Sequence, residues 1–576
     1  MGCINKSTLV DLFAGVKMKI FPNGYRIELK ELLQLAWPIT IETLLQYLIL
    51  SVSLLFCGHL GKEALDGVQL AITTINVVGS SVIIGLCTAF DTLFSQTFGS
   101  NNKNNIGLIL QRGILIMLLA CIPIFAVFVN TEYLLILVGQ NSEVARLSGQ
   151  YVIIVIAGFP GCVITFVLMR YLQCQNIVIP GVILQLIANV FNIVYHLILV
   201  TGLDLGLRGA AVAVVCTYWT EVLLYLMFIR FSKIYENSWT GFSKEAFLDW
   251  NTFLKLAIPG IFMISVDWWS FEISTLVVGI LGNVQLAAHS IVFQINGLIF
   301  MIPLGLSSAV CIKIGQHVGA GDPIKAQTTS RVGILVGWIA ALFTSTFYIS
   351  MKDIVPKAYT SNREILQLTS KVMPQIATYN FINITMLVLN GILRGTGHQK
   401  YGGIVTVIAH YVIGVPLMVV LVLYTSLEIA GVWWAFCTAI VFMFGLYAAK
   451  ILSISWENEC KKAQERTAVN VIYKDPPVFE GGPQLSSECS YSDTKPSNED
   501  YRQLFEQIVE ESPPSLFKVV ICQRCFIFVV LLLVLVFSIV LNLFFHSKLK
   551  SDAECFVNDT MYNVTEHLNI TTVIPC

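Results

Sequence analysis

The chain has 576 residues, of which 56% are hydrophobic and 12% charged, with a formal net charge of -1. Soluble domains carry roughly 25% charged residues, so this composition excludes a mainly water-facing surface, and the near-zero charge excludes a basic field for nucleic acid. A mean hydropathy of +0.74 makes lipid the solvent for most of the chain.

Residues 1–30 carry Lys17, Lys19, Arg26, Glu28 and Lys30 up to the first apolar stretch, without a short apolar region and cleavage site. They read as a cytoplasmic N-terminus rather than a signal peptide. The start Met1-Gly2-Cys3 touches on an acylation pattern, but Lys6 stands where that pattern wants Ser or Thr. A spanning helix needs about 20 apolar residues. Such stretches lie near 34–56, 68–94, 107–129, 148–172, 178–200, 208–229, 253–281, 286–311, 331–350, 368–391, 402–424, 429–452 and 519–545. The expected fold is therefore an all-α membrane protein with thirteen spans. Pro38, Pro160, Pro259, Pro303 and Pro416 fall inside these stretches, where neighbouring helices can re-satisfy the freed backbone groups.

With the N-terminus inside, the basic segments holding Lys103 and Arg112, Arg230 to Lys255, Lys313 to Arg331, and Arg394 to Lys400 all fall on the cytoplasmic side, as the positive-inside rule expects. Lys352, Lys357 and Arg363 make one outer loop an exception. The expected divisions are a six-helix lobe over 31–230, an inter-lobe cytoplasmic linker over 231–252 and a second six-helix lobe over 253–452. Residues 453–517 are polar and rich in Pro, Glu and Ser, the composition of a disordered cytoplasmic linker. A thirteenth span follows over 518–546, then an extracellular tail over 547–576. That tail carries sequons at Asn558, Asn563 and Asn569, and Cys555 and Cys576 can pair there. Most other cysteines lie in apolar runs and behave as small hydrophobes. Cys522 and Cys525 have two-residue spacing but no second ligand pair, so no metal is expected. No P-loop pattern is present, so ATP is not the expected energy source, and no cofactor or enzymatic site is expected.

The chain repeats itself. Leu32 to Pro38 reappears as Phe253 to Pro259, Gly58-His59-Leu60-Gly61 as Gly279 to Gly282, and Gln96 to Gly99 as Gln316 to Gly319. Arg170 matches Arg394, and Gly209 matches Gly431, so the offsets run from 220 to 224 in order. An even number of spans per repeat makes the halves parallel, and in secondary transporters of that kind the substrate site lies between the halves near the midplane.

Several motifs are shared with one family: Phe56-Cys57-Gly58-His59-Leu60-Gly61-Lys62, Asp91 to Gln96, Leu110 to Gly113, Asp267-Trp268-Trp269 with Phe271-Glu272, Gly319 to Asp322, and Gly391 to Gly397. On these the chain resembles the MATE (multidrug and toxin extrusion) family, in its animal branch, from about residue 30 to 455. The resemblance implies a plasma-membrane antiporter, a secondary transporter that exports small organic cations and xenobiotics in exchange for protons by alternating access. The expected partners are those cations, protons and the bilayer, with a monomeric transport unit.

Ionisable groups inside spans are usually functional. Glu272 reads either as the exchanging carboxyl or as a structural hydrogen bond, and the resemblance favours exchange. Desolvation favours a neutral acid and a bound cation favours the carboxylate, so one such group can hold either. Asp267 stands where the family has Glu and lies about 140° around the helix from Glu272. Trp268 shares the face of Glu272 and offers an indole to a flat cation, or packs. Two positions depart from the family, which has carboxylates where Gln294 and Asn383 stand here. That opens an alternative: an exchanger or facilitator for neutral or zwitterionic solutes, one with weakened proton coupling, or a transport-dead scaffold. Glu42 and Glu221 are extra carboxyls in the first and sixth spans. Either replaces the lost acids in part, or both lie near a water interface. Asp91 reads mainly as a helix-end or interhelical hydrogen bond. Asn76, Asn189 and Asn192 read as interhelical glue or substrate ligands, and His196 as a satisfied core residue.

Overall fold

The computed structural model describes residues 23–100, 102–239, 241–467 and 523–543, and among them every regular element is helical. The first six long elements are α1 (Gly24–Gly58), α2 (Lys62–Gly99), α3 (Asn105–Val129), the bent α4, α5 (Ile179–Gly202) and α6 (Gly206–Phe231). The next six are α7 (Trp250–Gly279), α8 (Asn283–Gly319), α9 (Pro323–Ser350), α10 (Arg363–Thr396), α11 (Gln399–Leu423) and α12 (Ile429–Leu452). α4 is two segments, Ser142–Val155 and Phe159–Gln173, bent by 59°. Pro160 opens the second segment, where its missing N–H is not needed. A polar helix α13 (Trp456–Thr467) and an apolar helix α14 (Gln523–Leu543) follow. With the bent pair counted once, thirteen described helices are long and apolar enough to cross a bilayer, as the hydropathy reading expects.

Three spans carry a wider, π-helical turn: Ile75–Ser80 in α2, Leu197–Gly202 in α5 and Ile408–Gly414 in α11. Such turns recur at functional sites because they re-aim side chains without ending the helix.

The repeat is visible in backbone detail. Gly61 and Gly282 are the N-caps of α2 and α8, with φ of 122° and 117°, a conformation that favours glycine. A Cβ on Gly85 would stand 2.5 Å from the Ile261 Cα of α7, and one on its counterpart Gly305 would stand 2.6 Å from the Thr40 Cα of α1. At one end of the bundle, a Cβ on Gly99 would lie 2.0 Å from the Gln316 carbonyl oxygen, and one on Gly319 would lie 2.0 Å from that of Gln96. The two halves therefore meet helix backbone against helix backbone at that end. Replacing Gly99 by Val should force α2 and α8 apart at a cost of about 1–3 kcal/mol. The expected readout is a lower thermal midpoint of the purified protein and faster modification of buried Cys174 by a water-soluble thiol reagent. Unchanged labelling would show that the crossing tolerates a side chain.

The same end carries cross-links from the start of α1. Lys313 Nζ donates to Glu31 Oε2 at 2.7 Å, and His317 Nε2 lies 3.2 Å from Glu28 Oε2. Lys313 and Arg394, counted with basic loops in the sequence, are thus buried helix residues instead. α14 lies outside the twelve-helix core. It docks on α3, where Asn542 Nδ2 donates to Val129 O at 2.6 Å and Asn130 Nδ2 donates to Ser538 O at 3.3 Å. Its other end places the Arg524 guanidinium 4.5 Å from the Trp250 ring centroid at the start of α7. α14 therefore ends at the face opposite the Gly99–Gly319 contact. The sequons at Asn558, Asn563 and Asn569, and Cys555 and Cys576, lie outside the described residues.

Candidate functional site

Between the halves lies a cavity of about 200 Å³. Its walls come from residues 43–54 of α1, 69–84 of α2 and 293–304 of α8, with Trp268, Phe271 and Glu272 of α7. These positions place it beyond the Gly85 and Gly305 crossings, away from the closed end. The wall is mostly apolar and aromatic, with Gln46, Asn76, Gln294 and Asn296 as polar points. Asn76 reaches it from the π-helical turn of α2.

Glu272 is the only carboxylate on this wall among the described residues. It has no hydrogen-bond or ion-pair partner among them. Trp268, one turn earlier, shares the wall, so an indole and an unpaired carboxylate face one space. Trp269 points elsewhere: its Nε1 donates to Val77 O at 2.8 Å, tying α7 to α2. Gln294 lines the cavity as an amide.

Asp267 does not join Glu272. It borders a smaller pocket inside the second half, with Trp268 and Asn390. There its Oδ1 lies 3.0 Å from His410 Nε2, a contact that falls short of hydrogen-bond alignment. His410 sits in the π-helical turn of α11, and nothing in its sequence neighbourhood marks it as the partner of Asp267. Asn383 is buried, and neither atom of its amide is hydrogen-bonded. It lines neither cavity.

Asp91 is not on the cavity wall either; it anchors a buried ion network. Its Oδ2 accepts from Arg394 Nη1 at 2.8 Å, and its Oδ1 lies 3.2 Å from Arg170 Nε. Arg170 and Arg394 are repeat counterparts, one from each half, and converge on one carboxylate because the repeat partner of Asp91, at the offset of 220 that relates Gly85 to Gly305 and Gly99 to Gly319, is Cys311. Arg394 Nη2 also donates to Ser307 Oγ at 3.1 Å. Arg170 Nη1 donates to Gln173 Oε1 at 2.7 Å, and Gln173 Nε2 donates to Glu42 Oε2 at 2.7 Å. Glu42 is thus fully buried within the first half, and so is Glu221; neither side chain is exposed at the surface. Sequence reasoning found the two arginines as repeat markers and missed their shared partner.

Asn189 and Asn192 are interhelical glue: their Nδ2 atoms donate to Leu45 O and Ile49 O of α1, each at 3.0 Å. His196 is a packed core residue, with Nδ1 2.8 Å from Asn192 O and its ring 5.2 Å from that of Phe56. At the closed end α13 crosses both halves. Arg466 Nη1 donates to Gln96 Oε1 at 3.2 Å and to Thr396 O at 3.3 Å. Burial lowers the pKa of this guanidinium, opposed by Glu459 and Glu465.

The chain and its fold of two pseudo-equivalent halves have counterparts in known proteins. A family model described as MatE matches residues 38–198 and again 259–420, which is the sequence repeat with its offset of 221. Human "Multidrug and toxin extrusion protein 1" is 38% identical over 449 residues, 78% of this chain and 79% of that protein. Mouse "Multidrug and toxin extrusion protein 2" is 36% identical over 458 residues, 80% of each chain. The crystal structure of the eukaryotic MATE transporter AtDTX14 superposes with a TM-score of 0.75 at 25% identity, covering 77% of this chain and all of that one. A twelve-helix core of two parallel halves, matched twice by one family model and along four-fifths of its relatives, establishes that this chain belongs to the MATE family of multi-pass membrane transporters.

Proposed function

We propose that the chain exports small organic cations in exchange for protons, with Glu272 as the group that holds either. The observation that carries this reading is the unpaired Glu272 carboxylate beside Trp268 on a mostly apolar inter-lobe wall. A desolvated carboxylate without a counter-charge is costly, and a proton or an organic cation relieves that cost equally well in kind. The indole adds cation–π attraction. The cavity is smaller than the roughly 300–1,000 Å³ of drug-sized sites, which suits compact cations. The names of its relatives, multidrug and toxin extrusion proteins, support the export of foreign solutes.

In this reading residues 1–30, 231–252 and 453–517 face the cytoplasm, and 547–576 lie outside the plasma membrane. The lobes 31–230 and 253–452 rock about the repeat axis, and each chain is a complete transport unit. The structure then corresponds to a state closed toward the cytoplasm, since Gly99, Gly319 and Arg466 all lie at that end.

Gln294 on the cavity wall favours a second reading, with neutral or zwitterionic solutes and weaker proton coupling. Uptake of labelled tetraethylammonium into expressing cells under an outward proton gradient separates the two. Gradient-stimulated uptake supports cation exchange. No uptake despite surface expression rejects the organic cation and leaves the neutral-solute reading.

A further inference from the structure

Glu221 of α6 has no exposed surface, and neither of its carboxylate oxygens has a hydrogen-bond partner. The amides of Gln185 on α5 and Gln46 on α1 lie close enough to act on it as donors, but neither reaches hydrogen-bond alignment, and Gln185 Nε2 donates to Gln46 Oε1 at 2.6 Å. Gln185 Oε1 is a second orphan in the same place. Two unmet acceptors thus lie in one neighbourhood, where the amide groups of Gln46 and Gln185 are the donors at hand.

The nearby charges are already matched. Glu42 accepts on both oxygens, from Gln173 Nε2 and from the Tyr225 hydroxyl, each at 2.7 Å. A Cβ on Gly181 would stand 2.3 Å from Glu42 Oε1, so glycine is what leaves room for that carboxylate. Through Gln173, Glu42 is joined to Arg170, while Asp91 meets Arg394. Glu42 and Asp91 therefore stand against two guanidiniums, and Glu221 is left over. The other titratable groups facing it are Tyr218 and Tyr225 of its own helix and Cys162 of α4, with Tyr151 of α4 behind Tyr218. α5 contributes only the Gln185 amide, and α1 contributes Glu42 and Gln46.

As an ion, Glu221 would be an uncompensated buried charge. As an acid it carries no charge to compensate and offers a donor to its unmet neighbour, Gln185 Oε1. Gln46, Cys162 and Tyr218 each also line the cavity, so one side chain separates Glu221 from the transported solute. We propose that Glu221 is a second proton-carrying site, in the first lobe and distinct from Glu272, that exchanges its proton with cavity water past Gln46. Deprotonation moves that proton to water and leaves a carboxylate that only a cation or a repacking of α1, α5 and α6 can meet. This ties the charge state of the first lobe to the position of its helices, and it rests on the proton-exchange reading above.

The test is infrared difference spectroscopy of the purified full chain in lipid between acidic and alkaline pH, following the carbonyl stretch of protonated carboxylic acids. Glu221→Gln is expected to remove one component of that band and Glu272→Gln another, while Glu42→Gln leaves both. In uptake, Glu221→Gln is expected to keep transport but lower its proton dependence by about one proton per cation. Spectra of Glu221→Gln and the wild type that superimpose would overturn the proposal. Should Glu221→Gln fail to accumulate, Glu221→Asp keeps an acid and is expected to move the component; an unmoved band overturns the proposal equally. Wild-type uptake indifferent to pH would sink the exchange reading, whereas the spectrum judges Glu221 by itself.

Discussion

Glu272→Gln should bring gradient-driven uptake of tetraethylammonium down to the level of non-expressing cells, with the protein still folded and at the surface. Glutamine keeps the shape and removes both functions at once, because an amide neither carries the exchanged proton nor bears a charge. A carboxylate and a monovalent cation about 4 Å apart attract by roughly 4 kcal/mol at an effective dielectric constant near 20. Losing half of that lowers affinity about thirtyfold. The effect should be large because Glu272 is alone: Gln294 shares the wall as an amide, Asp267 faces His410, and Asn383 lies off the cavity. Direct binding of the cation to purified protein separates lost affinity from lost exchange. Retained pH-driven uptake in Glu272→Gln would move the exchange site elsewhere.

Asp91→Asn should have the largest effect on stability. The side chain is fully buried and holds Arg170 and Arg394 from opposite halves. Removing its charge leaves two guanidiniums facing each other with no carboxylate in contact with either, and breaking a buried pair from one side costs about 3–5 kcal/mol. That is a large part of the roughly 5–15 kcal/mol that holds a native protein together. The expected result is a strongly reduced yield of monodisperse protein and a lower thermal midpoint. Adding Arg394→Leu to Asp91→Asn should recover part of the loss, because Arg170 keeps Gln173 and, through it, Glu42. A double variant no better than the single would mean that Arg394 is held by other groups, Ser307 first among them. The pair also joins α2 to α10 across the lobes, so an opening of the closed end has to break or carry it.

Hydropathy, the offset of 221 and the glycine motifs were enough to read the spans and the two halves, between which the structure has a cavity. This works because lipid forces each span to satisfy its own backbone, so every crossing leaves a local record about twenty residues long. Glu272 was legible for the same reason: an acid in an apolar stretch is conspicuous. The even placing of Glu272 and Trp268 on one helix face followed from helical spacing alone.

Only the tertiary structure decided which buried charges answer one another. Arg394 and Lys313 read as loop charges because each stands near the end of an apolar stretch, yet both are buried at the inter-lobe contact. Glu221 read as a residue near water, and it is enclosed by α1, α4 and α5. Asp91 is paired with a residue 303 positions away, and Asp267 with His410. Sequence periodicity fixes the face of a helix on which a side chain stands but not which helix faces it. That choice depends on how helices far apart in the chain cross, and here the crossings are set by glycines whose partners are backbone atoms of the other half.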